Sequence, residues 1–292
     1  MKKFSRLNRS SYSALVVLIC LLSFLGLTIY LVSSGPDKEK QEQSVNKILP
    51  DKIYEAKDVN TVPNISIVVI GLGLDKSLFE KVMNLPKQVT LGFSPYSPYL
   101  DYIFELTQKR GRDIIINIPM ETLLTGASDY SFQDNGPYAL ISDLGNVENS
   151  ERLDFVISKG RGFNGYYTSI YDSFTDGVED LAFLLNKIKE TKKYIVYNDP
   201  RKVKPFATIA SELGMQDKII RADILIDSKL EKSEIKSELD ELKNITDAYG
   251  CAIGIARAYH ISVNQVDKWL KTVDKEAKYN VIPLSEFINK CS

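Results

Sequence analysis

The sequence predicts an α/β domain, a distorted (β/α) barrel of seven or eight strands, preceded by one transmembrane helix. Three observations carry this. Residues 14–32 run without a charge, and beyond about residue 64 short runs rich in Ile, Val and Tyr alternate with amphipathic stretches. Those short runs are nearly continuously apolar, which suits parallel strands covered on both faces rather than on one. An open doubly wound sheet would satisfy the same alternation.

Ala14 to Val32 reads ALVVLICLLSFLGLTIYLV. At about 1.5 Å per residue it is long enough to cross roughly 30 Å of hydrocarbon as a helix. Lys2, Lys3, Arg6 and Arg9 precede it without an acid, whereas Asp37 to Glu42 mix both signs. The positive-inside bias then leaves residues 1–13 in the cytoplasm and sends the rest across the inner membrane, to a periplasmic or other extracytoplasmic space. A cleaved signal peptide is the rival reading, since Val32-Ser33-Ser34 resembles a cleavage site. The apolar stretch is longer than the usual 7 to about 15 residues, which favours an anchor, and both readings export the chain. Residues 33–64 are polar, contain Pro36, Pro50 and Pro63, and read as a flexible tether to a domain at 65–292.

Within that domain the strand-like runs are Ile65 to Ile70, Val89 to Phe93, Asp113 to Ile118, Phe163 to Thr168, Tyr194 to Tyr197, Ala222 to Ile226, Cys251 to Ile255 and Asn280 to Leu284. Helical stretches fall between them, at Lys76 to Leu85, Leu100 to Arg110, Val147 to Lys159, Gly177 to Glu190 and Ser233 to Tyr249. Gly160, Gly214 and Gly250 stop helices, and Ser262 with Gln265 three residues on forms a capping box. In such a barrel, chemistry belongs to the loops that follow the strands.

Composition removes several functions. A formal net charge of -1 over 292 residues gives no basic footprint for nucleic acid. The single histidine, His260, rules out a zinc site built from several His and any Cys–His or Ser–His pair beyond its own position. It reads as a surface or capping residue. Cys20 lies in the apolar span, while Cys251 and Cys291 stand in an exported region where a bridge is allowed but a buried and a free thiol fit equally.

The loops after the strands carry Gly71-Leu72-Gly73, Ser94-Pro95-Tyr96, Asn117-Ile118-Pro119-Met120-Glu121, then Tyr167, Ser169, Tyr171 and Asp172, then Asn198 and Asp199, Asp227, and Arg257. The glycine pair lacks the third glycine of a dinucleotide fingerprint and reads as a tight turn. Hydroxyls, amides, carboxylates and tyrosines converging on one mouth suit a polar ligand such as a sugar. Glu121 with Asp172 or Asp199 would supply the acid pair of a glycosidase, although Asp at such positions more commonly caps its own turn.

At these residues the sequence resembles the divergent polysaccharide deacetylases over Ile65 to Ile288. The marks are Ile65 to Ile70, Gly73, Leu91-Gly92-Phe93-Ser94-Pro95-Tyr96, Ile118-Pro119-Met120-Glu121, Gly136-Pro137-Tyr138-Ala139-Leu140, Phe174-Thr175 and Ala252-Ile253-Gly254. The resemblance implies a distorted (β/α) barrel in which an Asp and two His hold a divalent metal and a further Asp acts as base. Here the Asp-Asp pair falls on Ile70-Gly71, the third-strand His on Asn117, the fourth-strand His on Ser169, and the His-Pro-His of the seventh strand on Ile255-Ala256-Arg257. Asn, Ser, Ile and Gly cannot replace anionic and imidazole ligands. The expectation is therefore a domain without metal or other cofactor that binds an envelope glycan such as a peptidoglycan-like polysaccharide, or an envelope protein. Tyr96, Asn117, Glu121, Tyr167, Ser169, Asp172 and Arg257 line its groove. A carbohydrate hydrolase and a purely structural scaffold are the alternatives.

Overall fold

The structure, a computed structural model, describes residues 62–123, 132–133, 136–160, 162–169, 174, 177–198 and 205–291. The expected anchor at 14–32 and nearly all of the expected tether lie outside them. Among the described residues no helix is long and apolar enough to cross a membrane.

β1 (Asn64–Leu72) is the centre of a parallel sheet. It pairs on one side with β2 (Thr90–Phe93) and on the other with β10 (Cys251–Arg257), in register from Asn64 opposite Cys251 to Ile70 opposite Arg257. Beyond β2 follow β3 (Ile114–Asn117), β6 (Gly165–Ser169), β7 (Tyr194–Asn198) and β8 (Ile219–Arg221); beyond β10 lies β9 (Ile224–Leu225). A small antiparallel hairpin, β4 (Thr122–Leu123) with β5 (Phe132–Gln133), stands apart.

The result is a half-barrel of parallel strands whose two edges are consecutive pieces of one segment. β8 pairs with β7, and the Ala222 amide donates to the Tyr197 carbonyl; the Asp223 and Ile226 amides then donate to Ile253 and Ile255 of β10. The expected single strand at Ala222–Ile226 is thus two shorter ones. The carboxylate of Asp223 accepts the Ile253 amide at 2.8 Å, so a side chain takes a place that a strand backbone would otherwise fill. The run at Asn280–Leu284 is also corrected. Only β11 (Asn280–Val281) pairs, with the start of β1, and after Pro283 the chain turns into a helix at Leu284.

Strand alternation divides the core. Ile65, Ile67 and Val69 face the helices, whereas Val68 and Ile70 join Ile115, Tyr167, Val196, Ile253 and Ile255 inside the curved sheet. The outer layer is α1 (Lys76–Val82), α2 (Leu100–Lys109), α3 (Gly145–Lys159), α4 (Val178–Glu190), α5 (Pro205–Glu212), α6 (Lys232–Tyr249) and α7 (His260–Glu276). α6 buries Ile235, Leu239, Leu242 and Ile245, a helical stripe, and ends at Gly250, whose φ of 82° only glycine adopts freely. The expected capping box at Ser262 does not form. The helix begins two residues earlier, and the Ser262 hydroxyl donates to Asp227 at 2.7 Å.

The strands' N-terminal end is closed by α8 (Leu284–Cys291), which lays Leu284 and Phe287 into the interior cluster. A polar knot lies beneath it. Asp113 accepts the Thr90 hydroxyl (3.0 Å), the Asn164 amide (2.5 Å), the Tyr194 phenol (3.2 Å) and the Ser285 backbone amide (2.9 Å), while Thr90 accepts the Leu284 amide. Burial, and then the Asp113 carboxylate, push the Tyr194 phenol well above its ordinary value, so it stays a donor. Cys251 and Cys291 form a disulfide with Cα atoms 6.0 Å apart, resolving the pairing that composition left open.

Candidate functional site

The opposite end, where the parallel strands finish, carries the candidate residues. Ile70 and Asn117 close around Gly92 on the strand between them. A Cβ on Gly92 would stand 3.0 Å from Asn117 Oδ1 and 3.1 Å from Ile70 Cγ2. One register step on, Asn117 pairs with Tyr167, and the Tyr167 and Ser169 hydroxyls share a hydrogen bond of 2.5 Å. Ser169 pairs in turn with Asn198 on β7.

On this rim one atom of each of two side-chain amides is buried without a partner among the described residues. Asn117 Oδ1 has no donor there and Asn198 Nδ2 no acceptor. An unmet buried polar group costs about 1–3 kcal/mol, so an acceptor and a donor left open at strand ends mark a place where a hydroxyl or water would be stabilising. Asn117 was expected here; Asn198 was seen at the fifth strand's end but not chosen. Period-two counting forward from Tyr194, an interior residue, would have placed it on the same face.

The remaining expected groove residues divide. Tyr96 stands aside with Tyr138, stacked at 6.4 Å, and its hydroxyl accepts the Tyr138 amide; Gly136 packs directly on its ring. Glu121 is buried, and its carboxylate accepts the Ser142 amide at 3.1 Å, next to its own backbone bond to Leu140. It therefore anchors the turn at Ser142–Leu144 that leads into α3 rather than pointing freely at a ligand. Asp172, and Asp199 with it, lie outside the described residues.

Arg257 is held from below. Its backbone amide and Nε donate to Asp227 at 3.0 and 3.2 Å, its Nη2 donates to the Asp227 carbonyl, and its guanidinium lies 5.2 Å from the centre of the Tyr259 ring. Asp227 itself is fully buried. Arg257 thus pairs with a buried carboxylate and lies against the Tyr259 ring.

The metal site that the resemblance implies finds no donor set. Ile70 is apolar and packed inside, Asn117 presents a neutral amide against Gly92, and Ser169 is committed to Tyr167. Among the described residues no three His, Cys, Asp or Glu stand close enough to hold an ion. The residues present do not fit a transition metal.

A cavity of about 260 Å³ opens beside this rim, between the loops after β1 and β10. Gly71, Leu72, Gly73, Leu74 and Asp75 line one side, and Ala258, Tyr259 and His260 the other. Asp75 caps α1 by accepting the Leu78 amide, also accepts the Ser77 hydroxyl, and faces His260 at 3.8 Å. Those two hydrogen bonds, the Leu78 amide above all, hold its carboxyl below the ordinary value and keep it an acceptor. None of the six expected residues that the structure describes lines this cavity. Its signals in sequence were the Gly71-Leu72-Gly73 loop after the first strand and the lone histidine opening a helix after the seventh.

The family model of the divergent polysaccharide deacetylases matches residues 67–288. No curated protein matches the chain. Among solved structures, an uncharacterized protein from Agrobacterium tumefaciens C58 is similar at 22% identity and a TM-score of 0.66, over 80% of this chain and 92% of its own, which shows a shared fold. More distant similarity reaches a CE4 family pseudoenzyme from Bacillus anthracis, with 12% identity over 78% of this chain and 66% of that one and a TM-score of 0.45. It also reaches the catalytic domain of peptidoglycan N-acetylglucosamine deacetylase from Eubacterium rectale ATCC 33656, with 13% identity over 79% and 92% and a TM-score of 0.41.

Proposed function

The chain belongs to the divergent polysaccharide deacetylase family, and we propose that this member binds a glycan at the mouth of its half-barrel without hydrolysing it. The observation that supports this best is the pair of open amide groups at the rim, Asn117 Oδ1 and Asn198 Nδ2, with the Tyr167–Ser169 hydroxyl pair between them. A sugar hydroxyl both donates and accepts, so one hydroxyl meets either amide. Two of these positions, Asn117 and Ser169, are where active relatives would keep histidine ligands. Without those ligands nothing polarises an amide carbonyl or acidifies a bound water, so binding is left and turnover is not.

In this proposal residues 14–32 anchor the chain in the inner membrane with residues 1–13 in the cytoplasm. Residues 33–64 are the tether, and the domain from residue 65 meets envelope polysaccharide on the far side. The groove is Asn117, Tyr167 and Ser169, joined by Asn198, with Tyr96, Glu121 and Arg257 at or beyond its margin.

The test is retention of the full-length protein on peptidoglycan and on an array of acetylated amino-sugar polymers. Asn117→Ala and Ser169→Ala are expected to weaken retention about tenfold each, the loss of about one hydrogen bond to a buried partner. Retention of no carbohydrate by the unaltered protein would defeat the glycan reading and leave an envelope protein as partner. Stoichiometric zinc, cobalt or nickel in the purified protein, together with acetate released from those polymers, would defeat the non-hydrolytic one.

A further inference from the structure

We infer that the cavity between the β1 and β10 loops is a subsite for one sugar ring, held by the Asp75–His260 pair and the Tyr259 ring. This rests on the glycan reading above but uses none of Asn117, Tyr167, Ser169 and Asn198. The gap between His260 Nε2 and Asp75 Oδ2 is 3.8 Å, too long for a hydrogen bond between them. It is the separation at which one hydroxyl oxygen stands about 2.8 Å from both, donating to the carboxylate and accepting from the imidazole N–H. Asp75 is suited to this task because its other oxygen is occupied by the Leu78 amide and the Ser77 hydroxyl, which fix the carboxylate in place.

The apolar half of a sugar ring also finds a counterpart. Leu74 is 66% and Tyr259 43% exposed, two large side chains that an isolated domain leaves to water at the cavity's edge. Arg257 braces the Tyr259 ring from its own strand end, so the platform is fixed before a ligand arrives. Gly71 adds bare backbone with nothing within 4 Å of where a Cβ would stand, and its φ of 80° favours glycine there. At about 260 Å³ the cavity is just below the roughly 300 Å³ at which pockets for drug-sized ligands begin, the scale of a single ring.

The loop bearing Tyr96 and Tyr99 is fastened to this site. The Ser97 hydroxyl donates to the Gly73 carbonyl at 2.7 Å, and Tyr99 is 62% exposed. A chain that seats one unit in the cavity would thus meet further tyrosine surface beyond it.

Because His260 is the chain's sole histidine, its imidazole is a single-probe reporter of the cavity. The experiment titrates full-length protein carrying labelled histidine with a soluble N-acetylglucosamine oligosaccharide and follows the imidazole resonances while binding is measured in parallel. The expected result is a saturable shift of the imidazole signal with the same midpoint as binding, and about tenfold weaker binding in Tyr259→Ala and in His260→Ala. Tyr259 and His260 are solvent-exposed, so neither variant endangers the fold. Binding that leaves the imidazole signal unmoved and survives both variants, yet is lost in Asn117→Ala, would overturn this subsite and keep the glycan reading. No binding by the unaltered protein overturns both.

Discussion

Reducing the Cys251–Cys291 bridge tests the lower half of the molecule without touching the mouth. The bridge closes a loop of 40 residues, from the first residue of β10 to the last of α8. Chain-entropy reasoning assigns about 4 kcal/mol to constraining a loop of that length in the unfolded state. For a domain of this size each kcal/mol moves the melting temperature by about 2–4 °C, so a reduced protein is expected to melt about 8–16 °C lower. Trp269, the chain's only tryptophan, is buried in α7 and reports unfolding by fluorescence. Urea and thermal unfolding with and without reductant, with thiols counted to show that two are released, give the measurement. Glycan retention below the new midpoint should be unchanged, because β10 runs from the bridge at Cys251 to the rim at Arg257, its whole length away. Unaltered midpoints after two thiols have been released would refute the reasoning, since they would mean that the bridge constrains nothing in the unfolded chain.

Three further outcomes are expected. Asp113→Ala should cost about 3–5 kcal/mol by urea unfolding, because it strands the Thr90, Asn164, Tyr194 and Ser285 groups that converge on one buried carboxylate. The Tyr194 phenol is raised above 10 by burial and by Asp113, so its stabilising share is complete below pH 10 and is lost as pH climbs through the higher folded value; Tyr194→Phe should flatten that alkaline slope in pH-dependent melting. Gly92→Ala should reduce glycan retention with only about 1–2 kcal/mol of stability lost, because its methyl would press on Asn117 Oδ1 and Ile70 at the rim; full retention would place the ligand away from Asn117.

Much of the fold was legible because strands buried on both faces write themselves as apolar runs. All eight expected runs overlap a strand of the parallel sheet, and five expected helices lie within three residues of those observed at either end. The failures share a cause. At Ala222–Ile226 the apolar pattern continues through Asp223, and only the neighbouring β10 amide, met by that carboxylate, splits the strand. At Ser262 the capping-box spacing was present, but a buried carboxylate 35 residues earlier claims the hydroxyl. Local patterns of side chains compete with partners that sequence distance hides.

The candidate site followed the same division. Counting along strands put Asn117, Tyr167 and Ser169 at strand ends, and the structure brings them together. Glu121 and Arg257 were chosen for their charge, yet each is taken up by a neighbour, the Ser142 amide in one case and Asp227 in the other. A charged residue in a loop does not reveal whether its partner is a ligand or the protein's own backbone.

The sequence by itself determined the family, the parallel α/β layering and the residue types Ile70, Gly71, Asn117 and Ser169 at their strand ends, because all three are properties of which residue types stand at which spacing. Only the tertiary structure decided that Cys251 meets Cys291, that Asn117 Oδ1 and Asn198 Nδ2 are buried without a partner among the described residues, and that His260 faces Asp75 across a cavity. Those are distances between residues 40, 81 and 185 positions apart, and they are set by how the strands curve and pair, which no local pattern records.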